Sequence, residues 1–335
     1  MQDKGFVTLE DVAGATGLSR AQVSRALRGD PGVKESTRQI VREAADRLGY
    51  VPNLAARHLA SAQGTNVGIL IGEPLNPFQI RMAHALDAAL ARVGLEATLS
   101  LRAQTDEDAV SEAERLRGLR IAGLIMVATP RRPAAIAQIA QRQPCVYVGE
   151  HVEIARLSTI GARNADGARQ AVEHLIARGH RRIAHITGGI APGSAERQRG
   201  YLAAMAVAGL APIEVEGDHD FACGRGAVDA LLALTPRPTA IFADNDFSAF
   251  GAINRLAECG LRIPEDMSIV GFDDVPFASG SHLALTTIRQ SCQPQADAAV
   301  LALRARMANP SAPYSSRLLP VELVERRSVA APRPD

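Results

Sequence analysis

Two patterns predict a chain built from two kinds of unit: an all-α helix-turn-helix headpiece, then an α/β two-lobed core of two parallel, doubly wound sheets. Within the first fifty residues, three short apolar stripes recur at helical spacing. From Val67 onward, short apolar runs alternate with amphipathic stretches, and the rhythm starts afresh near Arg182. Length agrees with the division, because 335 residues exceed the ~100–150 at which compact domains cluster.

Leu9, Val12 and Ala13 fall at i, i+3 and i+4 and define the first helix. Val23, Ala26 and Leu27 repeat the spacing, and Ile40, Val41, Ala44, Ala45 and Leu48 form a third apolar face. Ser19 is a suitable N-cap for the second helix, its hydroxyl accepting from the Gln22 amide, and Gly17 suits the bend before it. Ser36-Thr37 is expected to open the third helix. Gly49-Tyr50-Val51-Pro52-Asn53 breaks the pattern, and residues 54–62 have room for one or two helical turns. Helices shorter than ~12 residues are marginal in water, so order in this hinge depends on a partner.

The core begins with the runs Val67-Gly68-Ile69-Leu70-Ile71, Ala122-Gly123-Leu124-Ile125-Met126-Val127 and Cys145-Val146-Tyr147-Val148, separated by helical stretches such as 80–93. It resumes at Arg182-Ile183-Ala184-His185-Ile186, Ala240-Ile241-Phe242-Ala243 and Ser268-Ile269-Val270-Gly271-Phe272. Runs without alternation suit strands buried on both faces. Two sheets of about five strands each are expected, with a ligand cleft at the carboxyl ends of their strands.

Composition narrows the function. A net charge of +1 excludes general stickiness for nucleic acid, and the first sixty residues hold nine Lys/Arg against seven Asp/Glu, so any DNA contact rests on the motif. Cys145, Cys223, Cys259 and Cys292 show no metal spacing and read as buried free thiols in a reducing cytoplasm. No secretory pattern or membrane-length apolar run is present, so a soluble cytoplasmic chain is expected. The Pro-rich tail, 330–335, is expected to fray.

Thr187-Gly188-Gly189-Ile190-Ala191-Pro192-Gly193 is not a GxGxxG loop, and GxSxG, HExxH and P-loop patterns are missing. Asp273 and Asp274 are adjacent, so their side chains need not face one another as an acid/base pair would. His174 and His180 read as surface or core residues. The expectation is a protein that is not an enzyme and carries no cofactor or metal.

In a helix-turn-helix, residues just after the cap of the second helix lie along the groove floor. Arg20 can there bond a guanine O6/N7 pair, and Ala21 offers a methyl contact. The competing reading makes Arg20 and Arg25 solvated helix charges.

The ordered motifs resemble the LacI/GalR family of bacterial transcription regulators along nearly the whole chain. They are Val7-Thr8-Leu9-Glu10-Asp11-Val12-Ala13, Ser19-Arg20-Ala21-Gln22-Val23-Ser24-Arg25-Ala26-Leu27, Leu48-Gly49-Tyr50-Val51-Pro52-Asn53-Leu54-Ala55-Ala56-Arg57, Asn76-Pro77-Phe78, the segment from Val172 to Ala184, Asn245-Asp246, the segment from Pro264 to Asp274, and Leu285-Thr286-Thr287-Ile288-Arg289-Gln290. The resemblance implies a periplasmic-binding-protein-like core. It divides the chain into a headpiece at 1–50, a hinge at 51–64 and an effector core at 65–330, with an N-subdomain of about 65–162 and 291–318 and a C-subdomain of about 163–290 and 319–330.

On DNA the resemblance implies base reading by Arg20 and Ala21 with Arg25 one turn on, and phosphate positioning by Thr8, Ser24 and nearby backbone N–H groups; Ser19 is a further candidate DNA contact. Asn53 is expected to cap the hinge helix and Arg57 to reach phosphate. Leu59 is expected to wedge into the minor groove, the alternative being packing on the core. Arg28 stands where relatives usually carry Asn. In the cleft the resemblance implies effector contacts from Arg197, Asn245, Asp273 and Gln290, with an interdomain salt bridge as the alternative for Arg197 and Asp273; Asn76 and Phe78 are expected to line the opposite wall, and His219 is a further candidate contact.

Two departures suggest an anionic or very polar effector, such as a sugar acid or sugar phosphate. After Glu216-Gly217-Asp218, where relatives commonly place an aromatic platform, stands His219, with Phe221 two residues on. Arg163 replaces the usual aspartate before Asn164. The expected protein is a homodimeric repressor of carbohydrate uptake or catabolism genes, reading a pseudo-palindromic operator in double-stranded DNA and switched by a sugar-like ligand. Lacking a leucine heptad after Arg327, it is expected not to form a tetramer. The alternative is a sugar-binding or transport receptor sharing the two-lobed core.

Overall fold

A computed structural model describes residues 6–51, 64–282, 284–309 and 311–333. The chain forms two compact units, Met1–Ala62 and Gln63–Asp335. Asn53, Arg57 and Leu59 lie outside the described residues.

In the first unit, α1 (Leu9–Thr16), α2 (Arg20–Arg28) and α3 (Glu35–Leu48) enclose a core of Val12, Val23, Ala26, Val41, Ala44 and Ala45. Ile40, expected on the apolar face of α3, is instead exposed, because the buried stripe is carried by Val41, Ala44 and Ala45. The third helix also starts earlier than Ser36-Thr37: Glu35 is its first residue, and Lys34 stands at the N-cap without a side-chain bond. Each helix ends at a glycine in the left-handed region, Gly17, Gly29 and Gly49, with φ of 68°, 73° and 69°. Glycine adopts that geometry without steric cost, so the turns sit where the sequence places them.

The second unit runs β1 (Asn66–Ile71), α4 (Pro77–Ala91), β2 (Glu96–Ser100), α5 (Asp106–Gly118), β3 (Gly123–Val127), α6 (Pro133–Ala140), β4 (Cys145–Gly149) and β5 (Ser158–Ala162). It continues with α7 (Asn164–Ala177), β6 (Ile183–Ile186), α8 (Ser194–Val207), β7 (Ile213–Val215), α9 (Phe221–Ala233), β8 (Ala240–Ala243), α10 (Asp246–Glu258) and β9 (Ser268–Asp273). A 3₁₀ turn at Pro276–Ser279 leads to β10 (Thr286–Gln290), α11 (Cys292–Ala308), β11 (Ser316–Leu319) and β12 (Val321–Val324).

These strands form two six-stranded sheets, ordered β11-β5-β4-β3-β1-β2 and β12-β10-β9-β8-β6-β7. The first is parallel throughout, whereas in the second β12 runs antiparallel to β10. Six strands rather than five result because the last part of the chain adds one edge to each sheet. The chain crosses between lobes after β5, after β10 and between β11 and β12, with α11 packed on the first sheet.

Both faces of each sheet are covered, which explains the uninterrupted apolar runs. Ile69 and Ile71 enter one layer with Leu86, Leu90 and Leu303, while Leu70 points to the opposite layer with Leu116, Met126 and Tyr147. Tyr201 and Phe272 anchor one layer of the second sheet, and Ile186, Ile241 and Leu256 the other. Helices α9 and α10 pack so closely that a Cβ on Gly224 would lie 2.0 Å from the Ser248 carbonyl oxygen, and one on Gly251 would lie 2.0 Å from that of Phe221.

The tail does not fray up to Arg333. Ile269 N–H donates to Ser328 O at 2.9 Å, Ala330 N–H donates to Ser268 Oγ at 3.1 Å, and His180 Nε2 lies 2.9 Å from Ala330 O. Nor are the thiols uniformly buried: Cys145 and Cys292 are, with burial pushing each up to about 12, whereas Cys259 is exposed and Cys223 half-buried. Among the described residues, no helix is long and apolar enough to cross a membrane, and no cluster of His, Cys, Asp or Glu suits a metal ion.

Candidate DNA-reading helix and ligand cleft

Helix α2 is fixed at its start by a reciprocal cap. Ser19 Oγ accepts from Gln22 N–H at 3.3 Å, and Gln22 Oε1 accepts from Ser19 N–H at 3.0 Å. Thr8 caps α1 in the same way with Asp11, its amide donating to Asp11 Oδ2 at 2.9 Å. Because Val23 and Ala26 turn inward, Ser19, Arg20, Ala21 and Arg25 are left exposed on the outer side of α2. Arg20 Nη1 rests 3.3 Å from Glu10 Oε1, and both side chains are well exposed.

Ser24 is half-buried and accepts from Arg28 Nη1 at 2.6 Å. Arg28 in turn forks onto Asp30, with contacts of 3.2 and 2.6 Å. The arginine at this unusual position therefore braces the end of α2 and holds Ser24.

The cleft between the two sheets of the second unit is narrow, with a cavity volume of about 30 Å³. On the first lobe it is lined by Asn76, Phe78, Gln79 and Ala128. Asn76 is the N-cap of α4, its Oδ1 accepting from Phe78 N–H at 3.0 Å, and Pro77 fits the first helical position. Gln79 Oε1 accepts from the Glu73 amide at 2.9 Å. From the second lobe and the crossover come Arg197, His219, Asp273, Gln290 and Gln295. Most of these polar groups follow the carboxyl ends of parallel strands, where open α/β sheets present ligand sites.

Arg197 is buried, its guanidinium carbon 3.9 Å above the Phe272 ring centre. Its Nε donates to Asn164 Oδ1 at 3.0 Å and its Nη1 to Asp244 O at 2.5 Å, while Nη2 lies 3.8 Å from Asp273 Oδ1. Gln290 Nε2 donates to Asp273 Oδ1 at 2.5 Å, and Gln295 Nε2 to Gln290 Oε1 at 3.3 Å. Burial pushes the Asp273 carboxyl up, with Arg197 and Gln290 opposing. Asp274 turns the other way, onto Arg289 and Arg326, which together hold its carboxyl below the usual range against the opposing effect of burial. Asp273 and Asp274 both occupy positive φ, at 121° and 52°, and Ala128 across the cleft is at 52°. Such backbone strain clusters at ligand-binding positions.

Asn245 lies behind the wall rather than on it. Its Oδ1 accepts from Ser248 N–H at 2.8 Å as the cap of α10, and its Nδ2 donates to His219 O at 3.1 Å, so it positions His219. Of the two residues considered for the platform, His219 lines the cleft, while Phe221 pairs with Phe247 at a ring distance of 6.2 Å. Arg163 lies elsewhere, in a separate depression with Asn164, Asp166, Glu196 and Arg199.

Sequence reasoning overlooked Asp244 and His185. Asp244 is fully buried, with His185 Nε2 3.1 Å from Oδ1 and His219 Nε2 2.6 Å from Oδ2. Burial opposes its charge, but the two histidine bonds prevail and hold the carboxyl well below its usual range. Asp246, also buried, is pushed well above that range by burial and by the charge of Asp273. The available signal was position: Asp244-Asn245-Asp246 follows directly on β8. Gln79 and Gln295 were overlooked because an amide on a helix carries no motif.

An all-α unit presenting a capped, exposed helix, joined to a two-lobed binding core, defines a ligand-responsive transcription regulator. Residues 8–53 match the family described as bacterial regulatory proteins, lacI family, and residues 172–329 match the periplasmic binding protein-like domain. Catabolite control protein A of Priestia megaterium is 31% identical over 305 residues, covering 89% of this chain and 91% of that protein. The structure of the lac repressor dimer bound to operator and the anti-inducer ONPF superposes with a TM-score of 0.84 at 28% identity, covering 97% of this chain and all of the other. That of the regulator CelR with cellobiose gives 0.73 at 28% identity, covering 96% and 99%. The chain belongs to the LacI family of bacterial transcription regulators.

Proposed function

We propose that the protein represses transcription as a homodimer whose two headpieces read a pseudo-palindromic operator, and that a small sugar-like ligand bound in the cleft switches it. The observation that carries this reading is the presence in one chain of an exposed Arg20-Ala21-Arg25 face and a polar cleft built around Arg197 and Asp273. Two-fold symmetry of the protein suits two-fold symmetry of the DNA. Arg20 and Ala21 read base edges, with Arg25 one turn on, and Thr8, Ser19 and Ser24 set the register on phosphates.

In the cleft, Asp273 accepts from ligand hydroxyls, Arg197 donates, and Asn76 and Phe78 close the opposite side. The chemistry suits a polyhydroxylated compound, and genes of carbohydrate uptake or catabolism are the regulated genes that fit such a ligand. The cellobiose in the CelR complex supports that class. By linkage, the ligand changes operator affinity by the same factor as operator changes ligand affinity.

The test is retardation of the DNA upstream of the protein's own gene, at moderate salt, with and without sugars and sugar acids. A specific complex whose amount changes with one of these compounds is expected. Failure of every fragment to form a specific complex overturns the reading.

A further inference from the structure

We infer that the cleft selects uncharged polyhydroxylated ligands over the corresponding acids, and that Asp244, which does not line it, imposes the choice by neutralising Arg197 from behind. This narrows the ligand class of the effector site and rests on that reading of the cleft. It departs from the acidic ligand expected from Arg163 and His219.

Arg197 is the only Arg or Lys among the described residues that line the cleft, so an acid group entering there would have to be met by its guanidinium. The protein already engages that guanidinium on every side. Its Nε donates to Asn164 Oδ1 at 3.0 Å, its Nη1 donates to Asp244 O at 2.5 Å, and its plane lies over the Phe272 ring. Two carboxylates stand at ion-pair distance, Asp244 Oδ2 3.8 Å from Nη1 and Asp273 Oδ1 3.8 Å from Nη2.

Asp244 is kept as an anion. Burial alone would push its carboxyl up, but the bonds from His185 and His219 prevail and hold it well below its usual range. It is fully buried, where water screens little, so its charge acts on Arg197 at close to full strength. It also has no room to turn away: a Cβ on Gly188 would lie 2.2 Å from Asp244 Oδ2 and 2.6 Å from Ser194 Oγ.

The charges behind Asp244 lend nothing to the cleft. His185 lies between Asp244 and Glu214; burial opposes a charge on the ring, but the two carboxylates push it up. Arg197 and His185 thus face three carboxylates, those of Asp244, Glu214 and Asp273. Burial pushes the Asp273 carboxyl up. With a proton on Asp273 the five groups balance, and without it they carry one negative charge in excess, so neither state leaves a cation to spare. All five belong to the second lobe, and a narrow cleft that parts to admit a ligand keeps the same balance.

Other arginines nearby are committed elsewhere. Arg131 is shared between Glu73 and Asp218, 3.6 Å from the latter, while Arg289 and Arg326 pair with the Asp274 carboxylate and Arg81 donates to Asp274 O at 2.5 Å. A ligand carboxylate or phosphate would enter beside Asp273 with no free counter-charge. A hydroxyl brings a donor and an acceptor without that cost.

The experiment is calorimetry on the full-length protein at about pH 8, above the ordinary histidine value of ~6.5. D-glucose, D-galactose, D-ribose and cellobiose are set against D-glucuronate, D-galacturonate, ribose 5-phosphate and cellobionate. At least one neutral sugar is expected to bind, and its acid about 10-fold or more weakly. Asp244→Asn keeps the shape and removes the charge, so the ratio of acid to neutral affinity should rise about 10-fold or more, a change that a merely structural role would not produce. Asp273→Asn, which removes the other carboxylate at Arg197, should move the ratio the same way and gives a second reading should Asp244→Asn fail to fold.

An acid binding as tightly as its neutral counterpart, no binding by any of the neutral sugars, or an unchanged ratio in folded Asp244→Asn would each overturn the inference. The same preparations are tested on operator DNA. A specific complex that responds only to an acid sinks the inference and leaves the regulator reading intact, whereas failure to form any specific complex sinks that reading itself.

Discussion

Replacing Arg20 with alanine separates base reading from general attraction to DNA. Within the protein Arg20 pairs with Glu10 across 3.3 Å, and the two side chains are 68% and 66% exposed. Such a surface pair contributes at most ~1 kcal/mol, so the melting temperature should hardly move. A bidentate contact to guanine contributes ~1–3 kcal/mol of discrimination, equivalent to roughly 5- to 150-fold in affinity for each half-site. The assay is fluorescence anisotropy at fixed salt with wild-type and Arg20→Ala protein, on the operator, on a series with single base changes, and on random duplex. The expected result is a large loss on the operator, a flattened preference at one base position per half-site, and a small loss on random DNA. Equal losses on operator and random DNA with base preference intact would place Arg20 on phosphate and refute the reasoning.

Ser19→Ala removes the α2 cap and should destabilise the headpiece by ~0.5–2 kcal/mol, read as a lower melting temperature together with weaker operator binding. Gly251→Ala drives a Cβ to within 2.0 Å of a backbone oxygen and should cost about 1–3 kcal/mol or more in denaturant unfolding; an unchanged midpoint would show that α9 and α10 can separate freely. Tyr201→Phe strips Ile213 N–H of its 2.7 Å partner and should cost ~1–3 kcal/mol by thermal melting. His180 is held below its ordinary value by burial, so the unfolded chain takes up the proton first. Its contribution is present above the unfolded value of ~6.5 and is lost progressively as pH falls from there through the lower folded value. His180→Gln should therefore flatten the acid limb of the stability profile, and a steeper limb would contradict that sign.

The fold was legible because local chemistry and overall pattern agree in it. Ser19 caps α2 through Gln22 as its spacing demanded, and Ile69, Leu70 and Ile71 form an unbroken run because both faces of their sheet are covered. What escaped the sequence was set by distant neighbours. The tail looks like a frayed Pro-rich end until Ala330 meets His180 and Ser268, partners far away in the chain. Ile40 has the spacing of a core residue, but the stripe rotates past it.

In the cleft, Arg197, Asp273 and Gln290 were legible from motifs, whereas Asn245 shows how a motif residue can support a wall without lining it. Asp244 was marked only by its position directly after β8, since nothing in its own segment reveals that two histidines, His185 and His219, converge on it.

The edge strands β11 and β12 also set the point in the chain at which each sheet is completed. The headpiece core, from Val12 to Ala45, is complete once the first fifty residues have emerged. Neither sheet of the binding core gains its last edge until residues 316–324 are synthesised. A ribosome that stops before residue 316 thus releases a chain with a finished DNA-reading unit and two unfinished sheets. A chain cut before residue 316 should therefore keep its headpiece core and lose ligand binding by the second unit.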